Sequence, residues 1–474
     1  MEGIIGRQRE MEIFTAALNS NRSEFLAVYG RRRVGKTYLI RTAFEKKITF
    51  YFTGVANSST EQQLANFDTA FKKINKKTKK APAKNWFTAF DQLTHFLEKT
   101  TTAKKVIFID ELPWLDTANS GFIQALEYFW NSWASARKDV ILVVCGSAAS
   151  WMINKLINNK GGLHNRVTKR IKVLPFTLLE CEQLVRSKKT VLNRYQIVQL
   201  YMVFGGIPFY WDEVSKELSA EQNIQEICFG ENGLLRTEFT NLFSSIFSNA
   251  DRHVAIANAL ATKAKGLTRD EIIKGSGLPD GGSMTRLLTE MEESGFIRKY
   301  VPFEKKMRTS LYQLTDHYTL FYLRFIKTTA WFDENRWLNI LDKPVYRAWT
   351  GYAFEQVCLY HLKQLKHALG IAAVDINVSS WRSSSKENGA QIDLVIDRRD
   401  QVINLCEMKF SINPFLIDKK YDTVLRNKIA AFKKETGTRK SVFLTMVTTF
   451  GLQKNSYAAA TVQNDVDMNA LFHK

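Results

Sequence analysis

The feature that most constrains this chain is the loop at residues 30–37, which reads GRRRVGKT and fits the pattern G-x-x-x-x-G-K-[ST]. Residues 25–29 before it are apolar and predict a buried strand, and residues 38–44 after it predict a helix. In a strand–loop–helix unit of this kind, backbone N–H groups curl around an anion and the helix N-terminus adds its positive end. The sequence therefore predicts a phosphate-binding loop in an α/β domain.

The residue types in this loop indicate a nucleoside triphosphate together with Mg²⁺. Lys36 is expected to reach the β- and γ-phosphates, and Thr37 is expected to offer its hydroxyl to the metal ion. The predicted ligands are therefore ATP and Mg²⁺. The residues expected to contact the nucleotide in this stretch are Gly30, Arg31, Arg32, Arg33, Val34, Gly35, Lys36, Thr37 and Tyr38.

A second anchor lies at residues 105–111, which read KVIFIDE. Residues 106–109 form a continuous apolar run, which is typical of a central parallel strand covered on both faces. The run ends in two acids: we expect Asp110 to hold Mg²⁺, usually through water, and Glu111 to polarise the attacking water. The loop and the acid pair, in this order, predict phosphoryl-transfer chemistry.

Composition limits the class of protein and its partners. The chain has 474 residues, 45% hydrophobic and 24% charged, with a net charge of +20. It is therefore expected to be globular, with about three domains. The charge favours a polyanionic partner such as nucleic acid, and an ordinary lysine-rich surface is the alternative. The five scattered cysteines lack metal-ligand spacing, and no signal peptide or apolar membrane span is recognisable, so we expect a cytoplasmic protein.

Residues 6–10, which read GRQRE, precede a helical pattern, and with the GRRRVGKT loop they resemble a known family. The chain resembles archaeal- and bacterial-type P-loop ATPases of the AAA+ class, in their STAND-like branch, that carry a winged helix and a C-terminal PD-(D/E)XK nuclease-like domain. The resemblance implies that the GRQRE stretch helps form the adenine pocket. It also implies that Ser147, at the end of the buried strand at residues 139–147, is a polar sensor near the γ-phosphate; an ordinary strand-end turn is the alternative.

The resemblance further implies an arginine that stabilises charge on the γ-phosphate. Arg166 follows a glycine-containing stretch and occupies that place, but His164 and Asn165 depart from the family's usual Tyr-Gly. Arg170 is therefore a rival for the same role.

In the next segment, helices are predicted at residues 178–188 and 194–204, followed by GGIP at residues 205–208. The family has this motif in a helical lid over the nucleotide, and a helix stop with a turn explains it equally well.

Residues 251–314 predict a winged helix, with three helices and a β-hairpin. Thr268 and Glu271 form a capping box that opens the second helix, and Ser283 is expected to cap the third. The third helix has an apolar inward face of Met284, Leu287, Leu288 and Met291. Its acids Glu290, Glu292 and Glu293 would repel phosphates, whereas the wing is basic through Lys299, Lys305, Lys306 and Arg308. An architectural or partner-docking role is therefore favoured over sequence-specific DNA readout.

The basic run at residues 72–80 either touches nucleic acid or is a solvated loop.

The C-terminal part combines a helix at residues 349–368 with strands at residues 391–397 and 402–410. Asp393 on the first strand, with Glu407 and Lys409 on the second, resembles the PD-(D/E)XK nuclease superfamily, and Glu355 on the helix matches a supplementary acid of that superfamily. Two carboxylates bind Mg²⁺, which activates a bound water, and the lysine positions it. Whether Asp393 lies beside Glu407 depends on the hairpin register, which a bulge could shift. A surface hairpin with an ion pair is the alternative.

The predicted fold class is α/β. It comprises a P-loop AAA+-like parallel-sheet core at residues 1–175, a helical lid at 176–248, a winged helix with linker helices at 249–344, and an α/β nuclease-like domain at 345–474. The predicted function is Mg²⁺-dependent ATP hydrolysis coupled to DNA binding or processing, with cleavage through Asp393, Glu407 and Lys409. The alternative is a slow ATP-gated switch that binds a protein or DNA without cleavage. The sequence sets no subunit count and is compatible with a homo-oligomer.

Overall fold

The computed structural model describes residues 4–75, 81–305, 309–329, 335–341, 343–383 and 389–474. These residues form two compact units. The first unit comprises Met1–Pro175 with Leu242–Ala250, and the second comprises Phe176–Asn241 with Asp251–Lys474. The predicted division into four domains stays a prediction.

The first unit is built on a five-stranded, fully parallel sheet with the order β2-β3-β4-β1-β5. Its strands are β1 Glu24–Tyr29, β2 Ile48–Thr53, β3 Lys105–Asp110, β4 Val140–Gly146 and β5 Lys169–Lys172. The residues of β3 and β4 are all buried, as expected for strands with helices on both faces. Because β4 lies between β1 and β3, the carboxyl ends of these three strands meet at one edge of the sheet.

Helices and shorter turns cover this sheet. The helices are α1 Gln8–Leu18, α2 Lys36–Ala43, α3 Thr60–Ile74, α4 Trp86–Glu98, α5 Phe122–Ser132 and α6 Ala149–Trp151. Two 3₁₀ turns, Leu112–Leu115 and Ala134–Ala136, and a π-helical turn, Met152–Ile157, connect them to the strands. A side-chain cap starts each of two helices: Ser59 accepts from the Gln62 N–H at α3, and Asn85 accepts from the Thr88 N–H at α4.

The N-terminal part of the second unit is helical. Its helices are α7 Leu178–Ser187, α8 Arg194–Phe204, α9 Pro208–Trp211, α10 Ala220–Phe229, α11 Leu234–Ile246, α12 Ala250–Ala261, α13 Arg269–Ser276 and α14 Gly282–Glu293. The last turn of α11 belongs to the first unit. The capping box predicted at Thr268 is confirmed, and so is the burial of the apolar face of α14. The prediction that Ser283 caps α14 is wrong, because this helix starts two residues earlier, at Gly282, with Gly281 as its cap.

A two-stranded antiparallel sheet comes next, made of β6 Ile297–Tyr300 and β7 Leu311–Leu314. The sequence pattern predicts the first strand at residues 296–303, but it ends at Tyr300. Pro302 cannot donate a ladder hydrogen bond, and the N–H of Phe303 donates to the carbonyl oxygen of Ser380 instead. Lys306 and Arg308, predicted to be basic wing residues, lie outside the described residues, as do residues 76–80 of the basic run.

Further helices lead into the C-terminal sheet. They are α15 His317–Phe321, a π-helical turn at Tyr322–Ile326, α16 Arg336–Ile340, α17 Pro344–Tyr360 and α18 Leu362–Ala368. The single helix predicted at residues 349–368 is wrong in two respects. It starts earlier, because Pro344 at its first turn is already set for helical φ, and it is interrupted at His361, where ψ is 30°.

The C-terminal part is a mixed five-stranded sheet with the order β12-β11-β10-β9-β8. Its elements are β8 Ile376–Arg382, β9 Gln391–Arg398, β10 Val402–Lys409, α19 Lys419–Thr436, β11 Ser441–Thr448, α20 Ser456–Thr461, β12 Asn464–Asp467 and a 3₁₀ turn at Met468–Phe472. β8, β9 and β10 pair antiparallel, whereas β10, β11 and β12 pair parallel. The last of its helices before β11, α19, ends at Thr436 with Gly437 as its cap, where φ is 61°. The predicted fold class is confirmed: an α/β chain with a five-stranded parallel core typical of P-loop proteins, helices, and a separate mixed sheet.

Candidate functional site

The phosphate-binding loop connects β1 to α2, and its backbone has the positive φ angles that its glycines allow. The φ angle is 143° at Gly30 and 86° at Gly35, and Arg33 also has a positive φ of 69°. A Cβ atom on Gly30 would lie 2.3 Å from the carbonyl oxygen of Val173. Gly30 is therefore required both by its dihedral angle and by the close approach of the segment after β5.

Lys36 is buried at the start of α2, and its ammonium group is held by neutral oxygens. Its Nζ donates to the carbonyl oxygens of Gly30 at 3.0 Å and Arg31 at 2.8 Å, and to Ser147 Oγ at 3.1 Å. Within the described residues, no carboxylate forms an ion pair with Lys36. Burial lowers the pKa of Lys36, and the nearby acids only partly oppose this. A buried cation in this state favours an anionic ligand.

Thr37 and Asp110 meet at the carboxyl edge of the sheet. Thr37 Oγ1 donates to Asp110 Oδ2 at 2.8 Å, and the N–H of Glu111 donates to Asp110 Oδ1 at 2.9 Å. Hydroxyl and carboxylate oxygens are the hard ligands that Mg²⁺ prefers. The two side chains therefore fit the metal ion that accompanies a nucleoside triphosphate.

Glu111 and Ser147 are joined by a second hydrogen-bonded link. Ser147 Oγ donates to Glu111 Oε1 at 2.8 Å, and the Ser147 N–H donates to Glu111 Oε2 at 3.3 Å. Glu111 has a left-handed backbone with φ of 46°, which turns the chain directly after β3. Because Lys36 also bonds to Ser147, a continuous chain runs from Lys36 through Ser147 to Glu111.

Arg7, in the stretch predicted to form the adenine pocket, forms hydrogen bonds to two other segments of the first unit. Its guanidinium donates to the carbonyl oxygens of Leu174 at 2.7 Å and Val34 at 3.1 Å, and Glu10 lies 3.8 Å from it. The side chain therefore connects the N-terminal helix to the phosphate-binding loop and to the segment after β5.

The other predicted nucleotide contacts differ in exposure. Arg31 and Val34 are buried, whereas Arg32 and Tyr38 are exposed. Arg166 and Arg170 are also exposed, and Arg170 lies on β5 opposite Ala27. In the part of the chain that the structure describes, no hydrogen bond joins either arginine to Lys36, Asp110, Glu111 or Ser147. The choice between the two arginines stays open.

The acids of the C-terminal sheet lie on paired strands. The β9–β10 register runs without a shift from Asp397–Ile403 to Leu394–Cys406. Continuing it by one step places Glu407 opposite Asp393, so the two carboxylates lie on the same face of the sheet. No bulge interrupts the pairing that runs from Asp397–Ile403 to Leu394–Cys406.

Lys265, which the sequence did not single out, lies between Asp393 on β9 and Glu355 on α17. Lys265 Nζ is 2.6 Å from Glu355 Oε2 and 2.9 Å from Asp393 Oδ1. The three side chains line a pocket of about 210 Å³ to which Arg298 and Tyr300 also contribute. Lys265 belongs to the turn between α12 and α13, and nothing in its local sequence points to an acid 90 or more residues away.

The lysine nearest to Glu407 is one that the sequence did not single out. Lys428 Nζ on α19 lies 2.7 Å from Glu407 Oε1, whereas Lys409 Nζ is 3.9 Å from Glu407 Oε2. Lys409 also lies above the ring of Tyr421, 5.4 Å from its centre. The structure thus brings Asp393, Glu407 and Lys409 together and adds Lys265 and Lys428 to the group.

Burial and charge act on the ionisation of these groups. Burial raises the pKa of Glu355 to about 6; Lys265 lowers it and Asp393 raises it to a smaller extent. Burial also raises the pKa of Glu407, with Asp393 acting in the same direction and Lys428 against it. For Lys265, burial lowers the pKa, but the carboxylates of Glu355 and Asp393 together outweigh it, so the pKa is raised. Lys265 is therefore a cation at neutral pH.

The pocket lined by Glu355 and Asp393 does not fit a metal ion in this arrangement, because the ammonium of Lys265 holds one oxygen of each acid. Among the described residues, no group of three or more His, Cys, Asp or Glu side chains is arranged to hold a metal ion. The metal role predicted for Asp393 and Glu407 stays a prediction.

None of the helices in the described ranges is both long enough and apolar enough to cross a bilayer.

Comparisons with known proteins cover the first unit and extend into the second. Residues 5–214 match the family described as an ATPase domain predominantly from Archaea. An uncharacterised protein of Methanocaldococcus jannaschii is 24% identical over 418 residues, which cover 86% of this chain and 87% of the relative. An uncharacterised ATP-binding protein of the same organism is 42% identical over 43 residues, 9% of this chain and 73% of the relative. The solved Walker-type ATPase of Pyrococcus abyssi is 15% identical with a TM-score of 0.49, over 68% of this chain and 96% of that one. Residues 5–214 are thus similar to an ATPase domain, which supports ATP binding and hydrolysis.

Proposed function

We propose that the protein hydrolyses ATP in a Mg²⁺-dependent reaction at the edge of the parallel sheet. The observation that carries this proposal is the buried ammonium of Lys36, which is held by two carbonyl oxygens of the phosphate-binding loop and by the hydroxyl of Ser147. A triphosphate supplies the anionic partner for this cation. Lys36 binds the β- and γ-phosphates. Thr37 and Asp110 hold Mg²⁺, which neutralises phosphate charge when bound.

Glu111 is the proposed general base that orients and polarises the attacking water. Its carboxylate is held by Ser147, whose hydroxyl also bonds to Lys36, so the base is positioned relative to the phosphate-binding lysine. Such positioning accounts for most of the catalysis in phosphoryl transfer. Arg166 or Arg170 would stabilise the charge that develops on the γ-phosphate.

The test is a pair of substitutions with matched controls. Lys36→Ala should abolish ATP binding, whereas Glu111→Gln should bind ATP and stop turnover. Lys47→Ala and Glu45→Gln change exposed residues just after α2 and should behave as the wild type. Binding is measured by calorimetry and turnover by phosphate release. Hydrolysis at the wild-type rate by Lys36→Ala would overturn the proposal.

We further propose that ATP turnover is coupled to DNA binding or processing through the C-terminal domain at residues 345–474. Two observations support this: the net charge of +20, and the exposed lysines on α19, the helix whose Lys428 pairs with Glu407. The exposed lysines of this helix are Lys419, Lys420, Lys433 and Lys434. Charge reversal of Lys419 and Lys420 to Glu should weaken DNA binding and flatten its dependence on salt. An ATPase rate that DNA leaves unchanged would contradict the coupling.

The second candidate function is a nucleotide switch that binds DNA or a protein without cleavage. The pairing of all three acids with lysines favours it, since Lys265 holds Glu355 and Asp393 and Lys428 holds Glu407. Incubating DNA with Mg²⁺ and either the wild type or Glu407→Ala separates the two candidates. Cleavage by the wild type alone indicates processing, whereas intact DNA in both reactions indicates the switch.

For the three-helix segment at residues 250–293 we propose docking of a partner rather than reading of DNA bases. Glu290 on α14 is bonded to His253 at 2.9 Å, and Glu292 is exposed, so this helix presents negative charge. A titration with duplex DNA in which Glu292→Lys leaves affinity unchanged would support the docking role. A large gain in affinity from this single substitution would place the helix next to phosphates and contradict it.

A further inference from the structure

The acid pocket of the second unit contains a side chain from a distant part of the chain. Lys265 lies in the turn between α12 and α13, and its Nζ bonds to Glu355 at 2.6 Å and Asp393 at 2.9 Å. Both acids belong to the C-terminal domain, on α17 and β9. Neither the phosphate-binding loop nor the predicted Glu407–Lys409 pair accounts for this contact.

The turn is built to hold Lys265 in that position. Gly266 has φ of 85°, and a Cβ atom on it would lie 2.5 Å from the carbonyl oxygen of Tyr312. The hydroxyl of Tyr300 donates to the carbonyl oxygen of Lys265 at 2.5 Å, and Gln313 Nε2 donates to the carbonyl oxygen of Ala264 at 2.7 Å. Residues on both sides of the lysine are therefore fixed by the β6–β7 hairpin.

A neighbouring lysine shows that this placement is specific. Lys263, two residues earlier in the same turn, pairs with Glu271 at 2.9 Å on the exposed surface. Lys265 instead extends into the pocket and joins two carboxylates of different elements. Two carboxylates that share a pocket repel each other unless a cation lies between them, and this ammonium meets that requirement.

We propose that Lys265 is the resident cation of the acid pocket and excludes a divalent ion from it while the turn at residues 262–267 stays in place. An ammonium bonded to an oxygen of each acid occupies the position that a divalent ion needs to coordinate both. Movement of this turn would exchange one cation for the other. The β6–β7 hairpin and the turn would thereby control whether the C-terminal acids can take part in metal chemistry.

This inference rests on the proposed C-terminal acid site and is independent of ATP turnover. Its test therefore uses the full-length protein without nucleotide and follows Mn²⁺ binding by calorimetry. Lys265→Met removes the charge and keeps most of the side-chain volume, so it should tighten Mn²⁺ binding at one site by at least about tenfold. The double variant Lys265→Met with Glu355→Gln should lose that gain. Lys263→Met is the matched control and should titrate as the wild type.

Two results would overturn the proposal. One is a folded Lys265→Met that binds Mn²⁺ no more tightly than the wild type. The other is a wild type that already binds Mn²⁺ tightly and loses it in Glu355→Gln. If Lys265→Met does not fold, Tyr300→Phe tests the same idea by removing only the hydroxyl that holds the turn. It should bind Mn²⁺ measurably more tightly than the wild type, and an unchanged affinity counts against the proposal.

A double variant separates this proposal from the ATPase proposal, because it distinguishes the two sites. Adding Lys36→Ala to Lys265→Met should leave the gained Mn²⁺ affinity unchanged, because Lys36 belongs to the other compact unit. Loss of the gain in that combination would mean that the Mn²⁺ signal comes from the nucleotide site.

Discussion

Replacing Ser147 with alanine is the most informative single change at the nucleotide site. Its hydroxyl is the link between Lys36 at 3.1 Å and Glu111 at 2.8 Å. The hydroxyl lies at the end of β4, the strand between the one that carries the phosphate-binding loop and the one that carries the acids. Ser147→Ala therefore disconnects the proposed base from the proposed phosphate ligand and leaves both residues in place.

The two partners of Ser147 should respond differently. Lys36 keeps its bonds to the carbonyl oxygens of Gly30 and Arg31, so ATP affinity should change by less than about threefold. Glu111 loses a hydrogen bond of the charge-assisted kind, which is worth about 1.5–3 kcal/mol, and keeps only the 3.3 Å contact with the Ser147 N–H. Because a misplaced base lowers the rate steeply, we expect kcat to fall by about 10²-fold.

The assay pairs steady-state ATP hydrolysis with direct measurement of ATP binding. Ser150→Ala is the control, because its hydroxyl accepts from Asn154 at 3.0 Å and touches none of the site residues. A wild-type kcat for Ser147→Ala would refute the positioning argument. Loss of ATP binding as severe as in Lys36→Ala would also refute it, since Ser147 would then support the binding lysine and not the base.

Three further predictions concern the metal ligand, the loop backbone and a buried histidine. Thr37→Val should lower ATP affinity about tenfold in Mg²⁺ and leave it unchanged in EDTA, as measured by calorimetry, because only the metal-linked hydroxyl is lost. Gly30→Ala should reduce the free energy of unfolding in urea by at least about 2 kcal/mol more than Gly35→Ala. Both residues have positive φ, but only Gly30 closely approaches another backbone, so equal losses would contradict the argument. Burial lowers the pKa of His361 from 6.5 to about 4, and its Nε2 accepts from the Leu178 N–H at 2.9 Å. The unfolded chain therefore takes up the proton first, and stability should fall by up to about 3 kcal/mol as pH drops through this window, a slope that should be shallower in His361→Gln.

The nucleotide-binding half of the fold was accessible from the sequence because its signals are local. The apolar run and loop at residues 25–37 and the run ending in Asp110 and Glu111 each specify a strand and the functional residues directly after it. The parallel sheet then brings the ends of those strands together, as expected for this fold class. In the second unit the errors concern the start of α14 and the interruption of a predicted helix at His361. There the outcome depends on a single cap or dihedral angle, which periodicity does not report.

The roles predicted for the C-terminal acids stay predictions, and the structure adds partners that no local pattern indicates. Lys265 and Lys428 are ordinary lysines in the sequence, and Lys409 has the spacing that the resemblance requires. Only the folded chain shows that Lys428 is the nearer partner of Glu407. Ser147 is a similar case, since its sequence position is equally compatible with a simple strand-end turn.

By itself, the sequence determined where the phosphate-binding loop lies, which strand and helix flank it, and which acids come after the central strand. These properties depend on neighbouring residues, through apolar periodicity and the dihedral freedom of glycine. Only the tertiary structure decided which cation sits beside each acid, because Lys265 and Glu355 meet across the fold. Contacts of this kind depend on how separate elements pack, and the sequence around each residue does not indicate which distant residue it contacts.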